Sequence, residues 1–220
     1  MQRMKTVLII GIGRYGAHLA ERFAKLGNEV MIVDKQEDQL RKLLPYVTNA
    51  QIGDCTDEEV LKSLGVRNFD ICFVCIGDDF QSSLETTSLL KEMGAKLVIS
   101  KASDDIHAKF LLRNGADSVV YPERDMALRV AARYTANHVV DYVGLSDDVS
   151  IYEIPVLETW VGKTIREVDF RKTYKVNILS IKKGEDMTLV MDPEHVFSAD
   201  EHLLVIGYQN ELQKFLKKID

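Results

Sequence analysis

A glycine-rich turn close to the start of the chain constrains the fold more than any other feature. The apolar run Val7–Ile10 precedes this turn and predicts a short strand buried on both faces, and residues 14–26 predict a helix directly after it. In the pattern GIGRYG, Gly11 permits the tight turn, Gly13 lets the backbone approach a pyrophosphate, and Gly16 lets the helix lie close to the strand. Strand, turn and helix in this order predict a dinucleotide-binding site whose phosphates meet the N-terminal end of the helix.

A second predicted strand, residues 29–34, ends in an acidic side chain. Asp34 lies eighteen residues after Gly16, where a carboxylate is expected to meet the ribose of a bound dinucleotide. Because a carboxylate accepts hydrogen bonds from ribose hydroxyls and repels a 2′-phosphate, the sequence disfavours NADP.

From residue 5 to about residue 121, short β-branched strands alternate with amphipathic helices. Each of four helices is predicted to end at a glycine in the left-handed conformation, namely Gly27, Gly65, Gly94 and Gly115. The predicted strands lie near residues 5–10, 29–34, 48–52, 70–76, 96–100 and 117–121. This alternation predicts βαβ crossovers and a doubly wound, parallel, six-stranded Rossmann-type lobe over residues 1–121.

Polar residues follow several of these strands. Ligands of doubly wound sheets bind at the carboxyl ends of the strands. Besides Gly11 and Asp34, the residues just past strand ends are Asp54, residues 77–79 and Lys101. We predict one shared site at this rim, although polar residues are common in such loops and each of the last three has that alternative.

A cation inside the glycine motif sharpens the choice of ligand. Arg14 starts the predicted helix, where positive charge is unfavourable unless an anion lies nearby. It therefore predicts a charge-assisted contact with a diphosphate or triphosphate chain, which makes ATP or ADP as suitable as NAD. The alternative is an arginine that points into solvent.

The alternation of strands and helices ends after residue 121. Pro122 and the acidic residues after it predict a helix to about Asn137, whose apolar stripe needs a partner in a second subunit or elsewhere in the chain. Residues 138–148 are predicted to be a short connector, so that residues 122–148 form an interface and crossover segment. A small α+β lobe is predicted over residues 149–220, with strands 149–156, 176–181, 187–191 and 203–206, a helix at 164–170 and an amphipathic helix at the end.

Composition excludes several classes of protein. In these 220 residues, no apolar run approaches the ~18 residues of a membrane span, and we expect a soluble intracellular protein. A net charge of −6 argues against a nucleic-acid partner. The sequence contains no P-loop, no G-x-S-x-G elbow, and no cysteine and histidine spacing typical of zinc.

The residues that most often carry chemistry are few. Cys55, Cys72 and Cys75 lie in or beside apolar segments and are predicted to be buried free thiols. His195 and His202 have no evident carboxylate to orient them and are predicted to be surface histidines. A nucleotide site without a reaction partner favours a sensor over an enzyme. A small NAD-dependent oxidoreductase and a free-standing nucleotide sensor remain the alternatives.

Beyond the glycine motif, the sequence resembles the RCK (TrkA-N/TrkA-C) family. The resemblance lies in the GIGRYG run, in Asp34, in the segment LGVRNF at residues 64–69, and in the segment from Gly115 to Met126. It covers essentially the whole chain, including the small C-terminal lobe. The chain is most similar to the Ktr-type regulatory subunits of bacterial potassium uptake systems, which have one such two-lobe unit.

The resemblance implies a cytoplasmic, octameric ring built from dimers and docked under a membrane-embedded potassium-translocating subunit. In that family ATP and ADP compete for the N-lobe, NAD(H) also binds there, and the exchange of ATP for ADP gates the pore. Arg14 would meet the terminal phosphate, Asp34 the ribose, and Glu123 a divalent cation, Mg²⁺ or Ca²⁺, at the dimer interface. The implied N-lobe site consists of Gly11, Gly13, Arg14, Tyr15, Gly16, Asp34, Lys35, Asp54, Cys55, Ile76, Gly77, Lys101 and Glu123.

The C-lobe resembles lobes that bind cyclic di-AMP in some relatives. The matching positions are Ile165, Arg171, Asn177, Ile178 and Pro193. Apolar side chains suit adenine faces, an amide suits a base edge and an arginine suits a phosphate. Each of these residues is equally compatible with the core or the surface of a small lobe.

Overall fold

The computed structural model describes residues 4–135, 138–146 and 148–219. The chain divides into two compact units, and the boundary lies between Glu123 and Arg124. Each unit has its own sheet and its own apolar core, so the two are treated separately.

The first unit alternates strands and helices along the chain. Its strands are β1 (Thr6–Ile10), β2 (Glu29–Asp34), β3 (Asn49–Ile52), β4 (Ile71–Val74), β5 (Val98–Lys101) and β6 (Ser118–Val120). Its helices are α1 (Arg14–Lys25), α2 (Glu37–Arg41), α3 (Glu58–Leu64), α4 (Phe80–Glu92) and α5 (Asp105–Arg113), with a 3-10 turn at Val66–Asn68. Helix α6 (Pro122–Thr135) follows β6 and spans the boundary between the units.

The six strands form one parallel sheet in the order β3-β2-β1-β4-β5-β6. From β1 the chain adds β2 and β3 on one side of the sheet, and it then crosses to β4 and adds β5 and β6 on the other side. This switch between β1 and β4 confirms the predicted doubly wound Rossmann-type lobe. The central strand β1 is buried on both faces, as predicted: Leu8 and Ile10 pack into one apolar cluster, and Val7 and Ile9 pack into another. The glycine loop therefore starts from a rigid central strand.

The predicted helix ends agree with the structure. All four of the predicted terminating glycines have positive φ angles, from +65° at Gly65 to +107° at Gly115. A residue with a Cβ is strained in that conformation, which is why glycine stands at these positions.

The second unit is a five-stranded antiparallel sheet with helices against it. Its strands are β7 (Asp141–Gly144), β8 (Val149–Pro155), β9 (Asn177–Lys183), β10 (Asp186–Thr188) and β11 (Glu201–Tyr208), in the order β10-β9-β11-β8-β7. Its helices are α7 (Ile165–Val168), α8 (Phe170–Tyr174) and α9 (Gln209–Ile219). The core contains a cluster of aromatic rings from Trp160, Phe170, Phe197 and Phe215. This small α+β lobe agrees with the predicted fold class.

Three local predictions in this unit were wrong. Residues 141–144, predicted as connector, form strand β7, because they pair antiparallel with β8 and gain their stability from that neighbour. The second hairpin strand ends at Thr188 instead of Met191, since β10 pairs only with β9 at the sheet edge. The helix predicted over residues 164–170 is interrupted at Asp169, whose φ of +45° separates α7 from α8.

Two other observations concern helices. The helix that begins at Pro122 was predicted to reach Asn137, and residues 136 and 137 lie outside the described part of the chain. Within the part that the structure describes, no helix combines the length and the apolar character needed to cross a bilayer.

Candidate functional site

The loop between β1 and α1 is closely packed at two of its three glycines. Gly11 has a φ of +86°, and a Cβ there would lie 3.1 Å from the backbone of Cys75 and Ile76. A Cβ on Gly16 would lie only 2.1 Å from the carbonyl oxygen of Gly11, so the first turn of α1 fits against the loop only with glycine. These two glycines are required by the fold itself.

Gly13 differs from its neighbours because the protein leaves space around it. A Cβ at this position would meet no atom within 4 Å. Gly13 is the N-cap of α1, has no side chain to accept the first N–H groups of the helix, and is followed by a first turn without acidic residues. The loop thus presents an open helix N-terminus, where an anion is favoured.

Asp34 connects the glycine loop to the end of β2. One of its carboxylate oxygens accepts a hydrogen bond from the backbone N–H of Ile12 at 2.6 Å, and the other accepts from the N–H of Gln36 at 2.8 Å. Each carboxylate oxygen has a further lone pair for a ligand hydroxyl. Asp34 therefore orders the loop in addition to its predicted role at the ribose.

A cleft of about 310 Å³ lies along the carboxyl ends of the strands. Eight of the predicted site residues line it: Gly11, Gly13, Asp34, Lys35, Asp54, Cys55, Ile76 and Gly77. Asp78 and Asp79, predicted at the same rim of the sheet, line it as well, and so do residues that were not predicted, among them Gln36, Gln39, Gly53 and Ser82. The cleft is located at the switch point between β1 and β4, where doubly wound sheets bind their ligands.

The remaining predicted N-lobe residues lie around this cleft without lining it. Gly16 is buried behind the loop, and Tyr15 is half-buried against the apolar cluster of the sheet. Arg14 is exposed at the start of α1.

Lys101 and Glu123 form an ion pair beside the cleft. The Lys101 Nζ lies 2.6 Å from a carboxylate oxygen of Glu123, and a Cβ on Gly77 would be 2.8 Å from that same Nζ. The lysine side chain thus passes directly over a residue that lines the cleft. The hydrogen bond from Lys101 lowers the pKa of Glu123, and the charge of Arg14 adds to this effect.

Four of the five charged residues that line the cleft are acidic. The backbone N–H and the hydroxyl of Thr56 donate to Asp54 and lower its pKa. Hydrogen bonds from Ser82, at the first turn of α4, lower the pKa of Asp79 in the same way. Carboxylates that stay ionised suit ligand hydroxyls and repel an additional phosphate on the ribose.

The thiols in the cleft are protonated at neutral pH. Burial raises the pKa of Cys55 and of Cys75 to about 12, and that of Cys72 behind them to about 12 as well. All three cysteines are free and buried, as predicted.

Ser82 is linked to Asp79, a residue of the predicted rim, by a signal that the sequence contains. Asp79 is the N-cap of α4 and accepts from the N–H of Ser82, a pattern that is recognisable as an aspartate three residues before a serine at a helix start. Gln36 and Gln39 have no such signal, because only the path of the chain after β2 brings them to the cleft.

The predicted C-lobe residues surround two adjacent clefts. Four of them, Ile165, Arg171, Ile178 and Pro193, line a cleft of about 520 Å³ together with Phe170 and Met191, which the prediction did not include. Asn177 lines a neighbouring cleft of about 560 Å³, and Arg171 lines both. Arg171, whose side chain is exposed, is therefore the residue that the two clefts share.

The prediction that the two C-lobe histidines lack an orienting carboxylate was wrong. His195 Nε2 lies 3.1 Å from the carboxylate of Glu201, and His202 Nδ1 lies 2.8 Å from Glu153. The second pair cannot be read from the sequence, because Glu153 lies on β8 and reaches His202 only through the register of β8 against β11. Each histidine is also partly buried, so neither is a simple surface residue.

A resident metal has little support within one chain. Among the described residues, no group of three or more histidine, cysteine, aspartate or glutamate side chains is arranged to hold an ion. Glu123 supplies a single carboxylate, which is already paired with Lys101. A hard cation takes several oxygen ligands, and Glu123 would supply one carboxylate to that set.

The fold and the cleft define a class of protein: a Rossmann-type lobe with an open cleft at the switch point of its sheet, followed by a small α+β lobe. Residues 7–122 match the TrkA-N domain family, and residues 149–220 match the TrkA-C domain family. The chain belongs to this TrkA-N/TrkA-C family, the RCK family that its sequence resembles.

Two relatives are similar in sequence to this chain over nearly its whole length. Ktr system potassium uptake protein C of Bacillus subtilis is 39% identical over 98% of this chain and 97% of its own length. Ktr system potassium uptake protein A of the same organism is 34% identical, over 96% of this chain and 95% of its own length.

Among solved structures, the RCK domain of GsuK is similar at a TM-score of 0.69, with 20% identity, over 99% of this chain and 48% of that one. The GsuK channel bound to NAD has the same TM-score and identity, over 100% of this chain and 40% of the channel. This chain thus spans half or less of those proteins, and the likeness concerns the fold.

Proposed function

We propose that this chain is a nucleotide-sensing regulatory subunit of a bacterial potassium uptake system of the Ktr type. The two Bacillus subtilis relatives support this assignment, because both are Ktr system potassium uptake proteins and both match almost end to end. The subunit acts in the cytoplasm, at the inner face of the membrane.

The observation that carries the proposal is the cleft at the switch point of the first sheet. Its open glycine loop and helix N-terminus suit phosphates, and the ribose contact is assigned to Asp34, which lines the cleft at the end of β2. Val33 and Ile76, which also line the cleft, would supply apolar contacts for the faces of an adenine ring. The ligand is an adenine nucleotide, ATP or ADP, and NAD(H) fits the same elements.

The chemistry of the lining supports binding without turnover. A general acid or base works best with a pKa close to neutral pH. In this cleft the pKa values of Asp54 and Asp79 are shifted down, and those of Cys55 and Cys75 are shifted up to about 12. These shifts move the groups away from neutral pH, which fits a sensor and not an oxidoreductase.

Discrimination between ATP and ADP depends on the terminal phosphate. We assign that contact to Arg14, the exposed cation at the start of α1, and to Lys101, whose ammonium group lies next to the cleft. Charge-assisted hydrogen bonds of this type are stronger than neutral ones, so a missing phosphate changes the affinity.

A divalent cation at Glu123 is part of the proposal. The carboxylate is largely exposed and has a lowered pKa, so it is ionised and accessible. Mg²⁺ or Ca²⁺ held there would draw further oxygens from nucleotide phosphates and from a second copy of the chain. The cation would replace Lys101 as the counter-charge of Glu123.

The C-lobe clefts are proposed to bind cyclic di-AMP. Apolar side chains of Ile165, Ile178 and Pro193 would contact the adenine rings, and Arg171 would bind a phosphate. Asn177, in the adjoining cleft, would read a base edge. The support is that all five residues converge on two adjacent clefts that share Arg171.

Regulation requires an assembly with two shapes. The chain is proposed to form dimers and an octameric ring that docks onto a membrane-embedded potassium-translocating subunit. A ligand shifts such a ring only if it binds the two shapes with unequal affinity. ATP and ADP would meet this condition through their different contacts at Arg14 and Lys101.

The proposal is tested by calorimetric titration of the full chain with ATP, ADP, NADH and NADPH, with and without Mg²⁺. We expect ATP and ADP to bind, and NADPH to bind at least about tenfold more weakly than NADH because of Asp34. Asp34→Ala should weaken binding of ATP, ADP and NADH and narrow the difference between NADH and NADPH, and Glu185→Ala, in an exposed turn of the second unit, is the control. Absence of binding by every adenine nucleotide would refute the N-lobe assignment.

The regulatory role is tested by potassium uptake in cells that contain a Ktr-type translocating subunit. Coexpression of this chain should raise uptake, and the Gly13→Ala variant should not. Uptake that is the same with and without this chain would contradict the role as regulatory subunit, whatever the titrations show.

A further inference from the structure

One loop of the second unit contains Pro193, which lines the C-lobe cleft, and this loop is hydrogen-bonded to α7 and to a buried carboxylate. Residues 192–198, here called the 192–198 loop, join the end of the hairpin to β11 and contain Pro193. The backbone N–H of Arg166 donates to the carbonyl of Pro193 at 3.0 Å, and the N–H of Ile165 donates to the carbonyl of His195 at 3.1 Å. These bonds connect the loop to α7, so that Pro193 and Ile165 come to line one cleft.

Behind the loop lies a buried carboxylate. Glu201, the first residue of β11, is only 5% exposed. Both of its carboxylate oxygens lie 3.1 Å from Nε2 of His195, and it accepts a hydrogen bond from the backbone N–H of Ser198 at 2.9 Å. Burial of a carboxylate is costly unless donors compensate it, and here both donors belong to the 192–198 loop.

We propose that the Glu201–His195 pair is a positioning element for the C-lobe cleft. The rigid strand β11 holds Glu201, Glu201 holds His195 and Ser198, and the backbone of the loop in turn holds Ile165 and Arg166. Loss of the pair releases the loop from β11 and lets Pro193 move away from Ile165. The consequence for ligand binding rests on the cyclic di-AMP site proposed above, whereas the consequence for the loop does not.

The other histidine–carboxylate pair of this unit provides a matched control. His202 and Glu153 have a similar hydrogen bond, at 2.8 Å, and the exposure of His202 is similar to that of His195. This pair lies across β8 and β11, with Lys182 of β9 as a third member. It joins strands that the sheet already holds together, and neither residue lines the clefts that contain the predicted ligand residues.

The test compares His195→Ala with His202→Ala in the full chain. Hydrogen–deuterium exchange without ligand is followed in peptides that cover residues 163–168 and 193–198. In His195→Ala, we expect the backbone amides of both peptides to exchange about tenfold faster, because the loop opens more often. In His202→Ala, we expect the exchange rates of both peptides to match those of the wild type. His195→Gln retains an N–H donor for Glu201 and should restore slow exchange.

Binding of cyclic di-AMP is then measured by calorimetry with the same variants. We expect His195→Ala to weaken binding about tenfold, with His195→Gln and His202→Ala close to the wild type. Equal exchange in His195→Ala and the wild type would overturn the inference, as would equal acceleration in His202→Ala. Faster exchange with unchanged affinity would overturn the effect on the cleft.

The two proposals fail in different ways. If the wild type does not bind cyclic di-AMP, the proposed ligand of the C-lobe is refuted, and the exchange data still decide whether Glu201 and His195 position the loop. If the wild type binds and the exchange rates do not change, the positioning role is refuted and the ligand stands.

Discussion

Among single residues, the glycines of the β1–α1 loop separate the requirements of the fold from those of the ligand. Gly16 has no room for a Cβ, since the carbonyl oxygen of Gly11 would lie 2.1 Å away. Gly13 has room, because no protein atom lies within 4 Å of a Cβ there. The packing confirms that Gly16 lets α1 lie close to the loop, whereas the contact of Gly13 with a pyrophosphate stays a prediction that the open space permits.

This difference leads to a prediction about two alanine variants. Gly16→Ala should destabilise the first unit by roughly 1–3 kcal/mol, because the helix must move away from the loop. Gly13→Ala should cost less than about 1 kcal/mol but weaken ATP binding at least about tenfold, because its methyl group occupies the path of the phosphates. Thermal denaturation and calorimetric titration measure the two effects. A Gly16→Ala variant as stable as the wild type, or a Gly13→Ala variant that binds ATP as tightly as the wild type, would contradict this assignment of roles.

The three buried thiols give a second prediction at the scale of residues. With pKa values of about 12, each of Cys55, Cys72 and Cys75 has a thiolate fraction near one in ten thousand at about pH 8. We expect almost no reaction of the folded protein with a disulfide reagent, and reaction of all three thiols in denaturant. ATP should slow any residual reaction at Cys55 and Cys75, which line the cleft, and not at Cys72. A thiol that reacts in the folded protein as fast as a small-molecule thiol would contradict this expectation.

At the scale of elements, the predictions that were confirmed depend on interactions between residues close together in the sequence. The turn glycines and the apolar run of β1 each act within a few residues, and the structure confirms both. Strand β7 depends on its pairing with β8 across a short turn, and the contact of His202 with Glu153 depends on the register between β8 and β11, which are distant in the chain. Because such pairing gains stability only once the partner strand is in place, a single sequence contains little sign of it.

The same distinction holds for the candidate site. The loop residues that bind phosphate and ribose in a Rossmann-type lobe have a recognisable spacing, and Asp34 was found in this way. Gln36, Gln39 and Ser82 come to the cleft only through the path of α2 and α4. Residues of that kind become visible only once the elements are placed in space.

Helix α6 and strand β7 are linked by an ion pair that makes stability depend on pH. Arg129 Nε donates to Asp141 at 2.9 Å, and this bond lowers the pKa of Asp141. The folded-state pKa lies below the unfolded one, so the stabilising contribution is fully present above the ordinary carboxyl pKa and is lost as pH falls through the lowered value.

Asp141→Asn should therefore lower the melting temperature at neutral pH, and the difference from the wild type should vanish near about pH 2. Melting curves from pH 7 down to pH 2 measure this convergence. Glu185→Gln, in an exposed turn, should follow the wild type at every pH. Curves for Asp141→Asn that run parallel to those of the wild type would show that the pair does not contribute.

At the scale of the whole molecule, the exposed face of α6 is the feature that a single chain does not satisfy. Met126, Val130 and Tyr134 lie at helical spacing, and their exposed fractions are 55%, 46% and 77%. Apolar residues spaced four apart share one face of a helix, and a contiguous face of this kind usually packs on a partner. The proposed homo-oligomer supplies such a partner in a second copy of the chain.

The paired change Met126→Glu and Val130→Glu should therefore reduce the size of the assembly. Charges placed at the centre of an interface lose their hydration without gaining a counter-charge, so association is expected to weaken by at least about a hundredfold. Light scattering should give eight chains of 24.9 kDa for the wild type and a smaller particle for the variant. Leu26→Glu with Tyr46→Glu, which are also exposed, should retain the wild-type mass. Because the glycine loop and Asp34 lie in the first unit, the smaller particle should still bind ATP, and an unchanged mass would show that α6 does not form the interface.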